Sequence, residues 1–76
     1  MIYTKEQLWS MSSEEMKNIF QSHRIVAYYN DGKILSGNFE LTILASNEPY
    51  LPCIIKIENN QSVKLMDPKL VEIEVL

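Results

Sequence analysis

The sequence is poor in the residues that staple or catalyse: it holds one cysteine, one histidine and one arginine in 76 residues. A lone Cys53 excludes an internal disulfide, so a cross-linked secreted scaffold is ruled out and a reducing compartment is expected. One Cys and one His cannot by themselves fill a four-ligand zinc site, and no metal or other cofactor is expected. Only two glycines are present, Gly32 and Gly37, which leaves no Gly-rich phosphate loop. No apolar run approaches the ~20 residues that span a bilayer, and residues 1–7 lack the apolar stretch of a signal peptide. These absences predict a cytoplasmic protein with no membrane partner. Met1 reads as a natural start, and a whole gene product is expected.

Positive charge is also scarce. Seven basic residues face ten carboxylates, for a net charge of −3. The basics are scattered at Lys5, Lys17, Arg24, Lys33, Lys56, Lys64 and Lys69. Nucleic-acid binders cluster their positive charge and use arginine for bidentate contacts, so this composition argues against nucleic acid.

The length allows one small domain spanning residues 1–76, burying only ~60% of what its unfolded chain exposes. Two segments divide it. Residues 3–22 read as helical in two pieces. Thr4 with Gln7 and Ser12 with Glu15 each have capping-box spacing, the second flanked by Met11 and Met16 as a staple. A short turn over 5–10 and a helix over 13–22 follow. Met16, Ile19, Phe20 and His23 then share one face of the second helix.

From Arg24 the period changes to two. Ile25, Ala27 and Tyr29 alternate with Val26 and Tyr28. Asn30-Asp31-Gly32-Lys33 predicts a hairpin with a type I′ turn and a positive φ at Gly32. A long strand over 33–44 puts Leu35, Gly37, Phe39, Leu41 and Ile43 on one face, with Ser36, Asn38, Glu40 and Thr42 on the other. Gly37 would let that strand bend and another backbone approach. Residues 45–52 read as a loop carrying Pro49 and Pro52. Cys53, Ile55 and Ile57 form a third strand, Asn59-Asn60 a turn, Val63 and Leu65 a short fourth strand. Asp67-Pro68-Lys69-Leu70 reads as one helical turn. Val71, Ile73 and Val75 alternate with Glu72 and Glu74 in a fifth strand. The expected fold is α+β and mainly β: a helical segment, then a five-stranded antiparallel small barrel over 24–76.

This order, with Val26, Tyr28, Asp31-Gly32-Lys33 and Gly37-Asn38-Phe39 in register, resembles the Sm-like and SH3-like small β-barrels. The resemblance implies a barrel fold and, for an Sm-like protein, a nucleic-acid-binding ring closed through the fourth and fifth strands. The RNA pocket it implies is incomplete. Asn47 matches the family's asparagine, but Ile43 stands where an aspartate is usual, and no Arg-Gly motif lies near Asn59-Asn60-Gln61.

No residue set points to catalysis. His23 lacks a nucleophile partner and reads as structural. Cys53 reads as a small strand hydrophobe. Glu72 and Glu74 share a strand face and read as solvated. The aromatic residues are the better surface candidates, because tyrosine offers amphipathic contact area at low entropy cost. Candidate partner-binding residues are Tyr28, Tyr29, Asn47, Tyr50, Val71, Ile73 and Val75, with Trp9 beside them. Tyr28 and Tyr29 point to opposite faces. The expected function is non-catalytic: an acidic regulator, inhibitor or immunity-type protein that binds another protein or its own copies through a strand edge. The alternative is the Sm-like nucleic-acid ring. The fifth strand, over 70–76, is expected to be an open edge and to join copies of the chain.

Overall fold

The computed structural model describes residues 1–43 and 54–76. The elements run β1 (Ile2–Thr4), α1 (Lys5–Trp9), α2 (Ser13–Phe20), β2 (Arg24–Tyr29), β3 (Ile34–Ile43), β4 (Ile54–Ile57), β5 (Gln61–Lys64) and β6 (Leu70–Val75). Six strands form one antiparallel sheet in the order β1-β6-β2-β3-β4-β5. The two ends of that order, β1 and β5, do not pair, so the described sheet is open and not a closed barrel. Among the described residues no helix is long and apolar enough to cross a membrane.

The helices begin where their caps place them. Thr4 forms the complete box: its Oγ1 accepts the Gln7 N–H at 3.2 Å, and the Gln7 side chain accepts the Thr4 N–H at 2.8 Å. Ser12 makes half of one. Its Oγ accepts the Glu15 N–H at 3.1 Å, but the Glu15 carboxylate takes the Ser12 hydroxyl instead of its N–H. The second helix stops at Phe20, earlier than the expected 22. Gln21 is extended, Ser22 has φ of 67°, and the His23 N–H donates to Phe20 at 3.0 Å. That is the pattern of a type II turn. His23 is therefore exposed rather than on the helix face, and its Nδ1 lies 3.0 Å from the Leu76 oxygen.

The hairpin between β2 and β3 forms as expected, with a different turn. Gly32 has φ of 88°, but Asp31 is not left-handed, which excludes type I′. The Gly32 N–H donates to Tyr29 and the Tyr29 N–H to Lys33. This three-residue loop ends on a left-handed glycine, the bulged hairpin that needs φ > 0 once only. Two consecutive left-handed residues occur elsewhere, at Asn59 and Asn60.

β3 belongs to both halves of the sheet. Its first half pairs with β2, from Arg24↔Asn38 to Tyr28↔Ile34, and its second with β4. The switch falls beside Gly37. A Cβ there would lie 2.7 Å from Glu58 Cγ, so the close approach expected of this glycine is real. The Glu58 N–H donates to Asn38 at 2.9 Å across the same gap. A register shift between Phe39 and Leu41 then reverses the alternation. Leu41 and Ile43 consequently turn outward, and the single apolar face expected for this strand ends at Phe39.

Leu8, Met16 and Phe20 from the helices meet Ile25, Ala27, Tyr29, Ile55, Ile57, Val63, Leu65, Leu70 and Ile73 in one core. Phe20 is its centre, with Tyr3 edge-on at 6.4 Å and Phe39 at 5.8 Å. The expected helical turn at Asp67 is instead two linked turns, Asp67 N–H to Lys64 and Leu70 N–H to Asp67.

The main correction concerns the last strand. Residues 2–4 form a strand, and β6 lies between β1 and β2. It pairs with β1 over residues 72–74 and with β2 along its length, so the strand expected as an open edge lies inside the sheet. Among the described residues the free edges are β1 and β5.

Candidate functional site

Strand alternation sorts the β1-β6-β2-β3 part of the sheet into two faces. Tyr3, Ile73, Ile25, Ala27 and Leu35 turn toward the helices. Their sequence neighbours turn away. Directly paired residues share a face with Cβ atoms ~4.5–5.5 Å apart, so register alone builds the outer surface. One row runs Ile2, Glu74, Val26, Ser36; the next runs Thr4, Glu72, Tyr28, Ile34. Among the described residues no helix covers these rows. Ile2 and Ile34 are 51% and 58% exposed, and Val26, Tyr28, Glu72 and Glu74 are half-buried by one another.

Two carboxylates therefore sit in an apolar frame. The Tyr28 hydroxyl donates to Glu74 Oε1 at 2.7 Å. That bond is the leading cause of a raised Tyr28 pKa, and the charges of Glu74 and Glu72 push the same way. The Glu72 carboxylate has no hydrogen-bond or ion-pair partner among the described residues, and neither glutamate has a basic group within 4.0 Å there. The cations are used elsewhere. Arg24 holds Glu58 at 2.8 Å, Lys69 faces Asp31 at 3.7 Å, and Lys33 lies 5.3 Å over the Tyr29 ring. Among the described residues no group of three or more His, Cys, Asp or Glu side chains could hold a metal ion.

The sequence candidates scatter. Tyr28 lies at the centre of the outer face. Tyr29 is on the opposite side, in the core, where burial raises its pKa, aided by Asp67 and Asp31. Ile73 is fully buried and Val75 packs on the core, so both are withdrawn from any edge contact. Val71 is exposed at the irregularity where β6 pairing shifts between Tyr28 and Tyr29. Asn47, Tyr50 and Cys53 lie outside the described residues. Trp9 is 44% exposed, but its Nε1–H donates to the Leu65 carbonyl at 2.7 Å and Lys5 covers its ring at 5.6 Å. That tethers α1 to the end of β5.

Sequence reasoning missed Ile2, Val26 and Ile34, and treated Glu72 and Glu74 as merely solvated. One signal existed. Ile2-Tyr3-Thr4 has strand composition, whereas Ile34 falls beside Tyr28 only because the hairpin loop has three residues and not the two expected. What was missing was the pairing of β1 with β6, which no local pattern encodes.

Compared with family models, curated proteins and solved structures, the chain matches none.

Proposed function

We propose that this chain is a non-catalytic interaction protein that binds another protein through the outer face of β1, β6, β2 and β3. One observation carries the reading. Among the described residues Ile2, Val26, Tyr28 and Ile34 form an uncovered apolar frame around Glu72 and Glu74, and neither carboxylate has a basic partner there. Large amphipathic side chains on an exposed sheet face are the composition of a binding surface, not of a solvated one. A regulator or inhibitor in the cytoplasm is the simplest role for such a protein.

The element order supports the small-barrel resemblance, since β2 and β6 lie side by side and β3 bends at Gly37 to serve two partners. The nucleic-acid role of that resemblance is disfavoured. Phosphates meeting this face would be repelled by two carboxylates, and Arg24 is already engaged by Glu58.

A photo-crosslinking side chain placed at Ile34, and separately at Glu14 on α2, tests the surface in the producing cell. Protein adducts at Ile34 and none at Glu14 are expected. Adducts at Glu14 alone, or at neither position, would refute this surface.

A further inference from the structure

We infer that the partner of this face is a basic protein segment: an extended or helical stretch that presents lysine or arginine between apolar side chains. The inference rests on the interaction reading above and adds the chemistry of the occupant. It follows from charge complementarity on a sheet face that no described residue outside the sheet covers.

The two rows of the face alternate in chemistry. Glu74 lies between Ile2 and Val26, and Glu72 between Thr4 and Tyr28, with Ile34 at the end of the second row. A segment laid on this surface meets apolar area and negative charge together. Tyr28 already donates its hydroxyl to Glu74 Oε1, which leaves the other Glu74 oxygen and both Glu72 oxygens as acceptors without a donor among the described residues. A lysine or arginine can supply donors and countercharge at once, and a guanidinium can meet a carboxylate in a two-bonded pair. Burying these half-buried carboxylates under a neutral apolar partner would strand their charge, at a cost that has no compensation.

The same charges exclude the other occupants. A second copy docked face to face would bring four glutamates together, and Arg24, which alternation places on the same face as Val26, is already held by Glu58 at 2.8 Å. Nucleic acid and anionic lipid headgroups would each add negative charge to negative charge. Several of the chain's own cations are engaged elsewhere: Arg24 with Glu58, Lys69 with Asp31, Lys56 with Asn60 and Ser62. Among the described residues no lysine or arginine lies within 4.0 Å of either carboxylate, so the countercharge comes from outside.

The test is an amide-shift titration of the full chain with a short synthetic peptide of alternating lysine and leucine. Its glutamate–leucine counterpart and anionic vesicles serve as the other probes. Shifts from the lysine peptide should concentrate at residues 2–4, 26–28, 34–36 and 72–74, and weaken with salt. The Glu72→Gln/Glu74→Gln variant should bind about tenfold more weakly or worse. Its thermal midpoint reports whether it is folded. Ile34→Ser, which keeps both carboxylates, should weaken binding several-fold by removing apolar contact. Glu14→Gln/Glu15→Gln on α2 should bind as the parent does. Shifts on the helices, undiminished binding by Glu72→Gln/Glu74→Gln, or a preference for the acidic peptide or the vesicles would overturn the inference. Crosslinking at Ile34 without lysine-peptide binding would refute the basic partner and leave the interaction reading standing.

Discussion

Single side chains divide sharply in what they contribute. Phe20 has no exposed surface and touches both aromatic neighbours, so Phe20→Ala should cost roughly 3–5 kcal/mol in urea unfolding. Ile34→Ala, on the open face, should cost within about 0.5 kcal/mol. A larger loss at Ile34 than at Phe20 would invert the assignment of the two sides. Ser22 holds φ of 67° at the third position of its turn, where glycine is at ease. Ser22→Gly should therefore leave stability level or raise it by up to about 1 kcal/mol, while Ser22→Val should lower it by about 1–3 kcal/mol. If both changes destabilise alike, the left-handed turn is wrong. Tyr28 and Tyr29 ionise above the ordinary 10.0, the first because of its bond to Glu74, the second because of burial. Both are neutral when protonated, so raised folded values favour the fold below the unfolded pKa. That stability is lost as pH climbs from about 10 through the folded values. Unfolding midpoints should fall in that range, and Tyr28→Phe should reduce the fall. A flat profile above pH 10 would contradict these two environments.

Elements were legible where one residue dictates local geometry and illegible where distant segments meet. Thr4 and Ser12 announced both helix starts, Gly32 announced the hairpin, and Gly37 announced the bend. The reversal of β3 beyond Phe39 was not readable, because the bulge at residue 40 is set by pairing with β4, and alternation alone continues straight through it. The β1 strand is three residues long and carries no periodic signal of its own. Gly37 offers a test of the bend itself. A methyl group there meets Glu58 Cγ at 2.7 Å, so Gly37→Ala should cost about 1–3 kcal/mol and disturb the Arg24–Glu58 pair. Glu58→Ala removes the obstructing atom. In the double variant the two costs should add to less than their sum, since the remaining backbone contact is an ordinary 3.4 Å. Strict additivity would mean that the strands do not cross closely at that point.

For the whole molecule, the important result is which edges are left. The sequence suggested an open last strand, and with it a natural joint between copies. β6 instead lies inside the sheet, and the edges that remain among the described residues are a three-residue strand and a four-residue strand that ends at Lys64. Short edges with a terminal lysine resist pairing with neighbours. Sedimentation at tens of micromolar should accordingly give the mass of one chain. A discrete oligomer would contradict this reading of the edges. The candidate face was half legible: the tyrosine and the glutamates were visible one by one, while the frame around them arises only when residues 2–4 lie against residues 72–74. That pairing also governs how the chain acquires its structure. β6 is the last of the sheet's described strands to be synthesised, yet it separates β1 from β2, so the sheet cannot be completed before residues 70–75 arrive. Closing contacts between the two ends of the chain is slow, because most of the loop entropy is lost before those contacts repay it. Refolding should fall toward the millisecond-to-second range. A ribosome-tethered chain that has not yet released residues 70–75 should remain open to proteases, and become resistant in one step once they emerge.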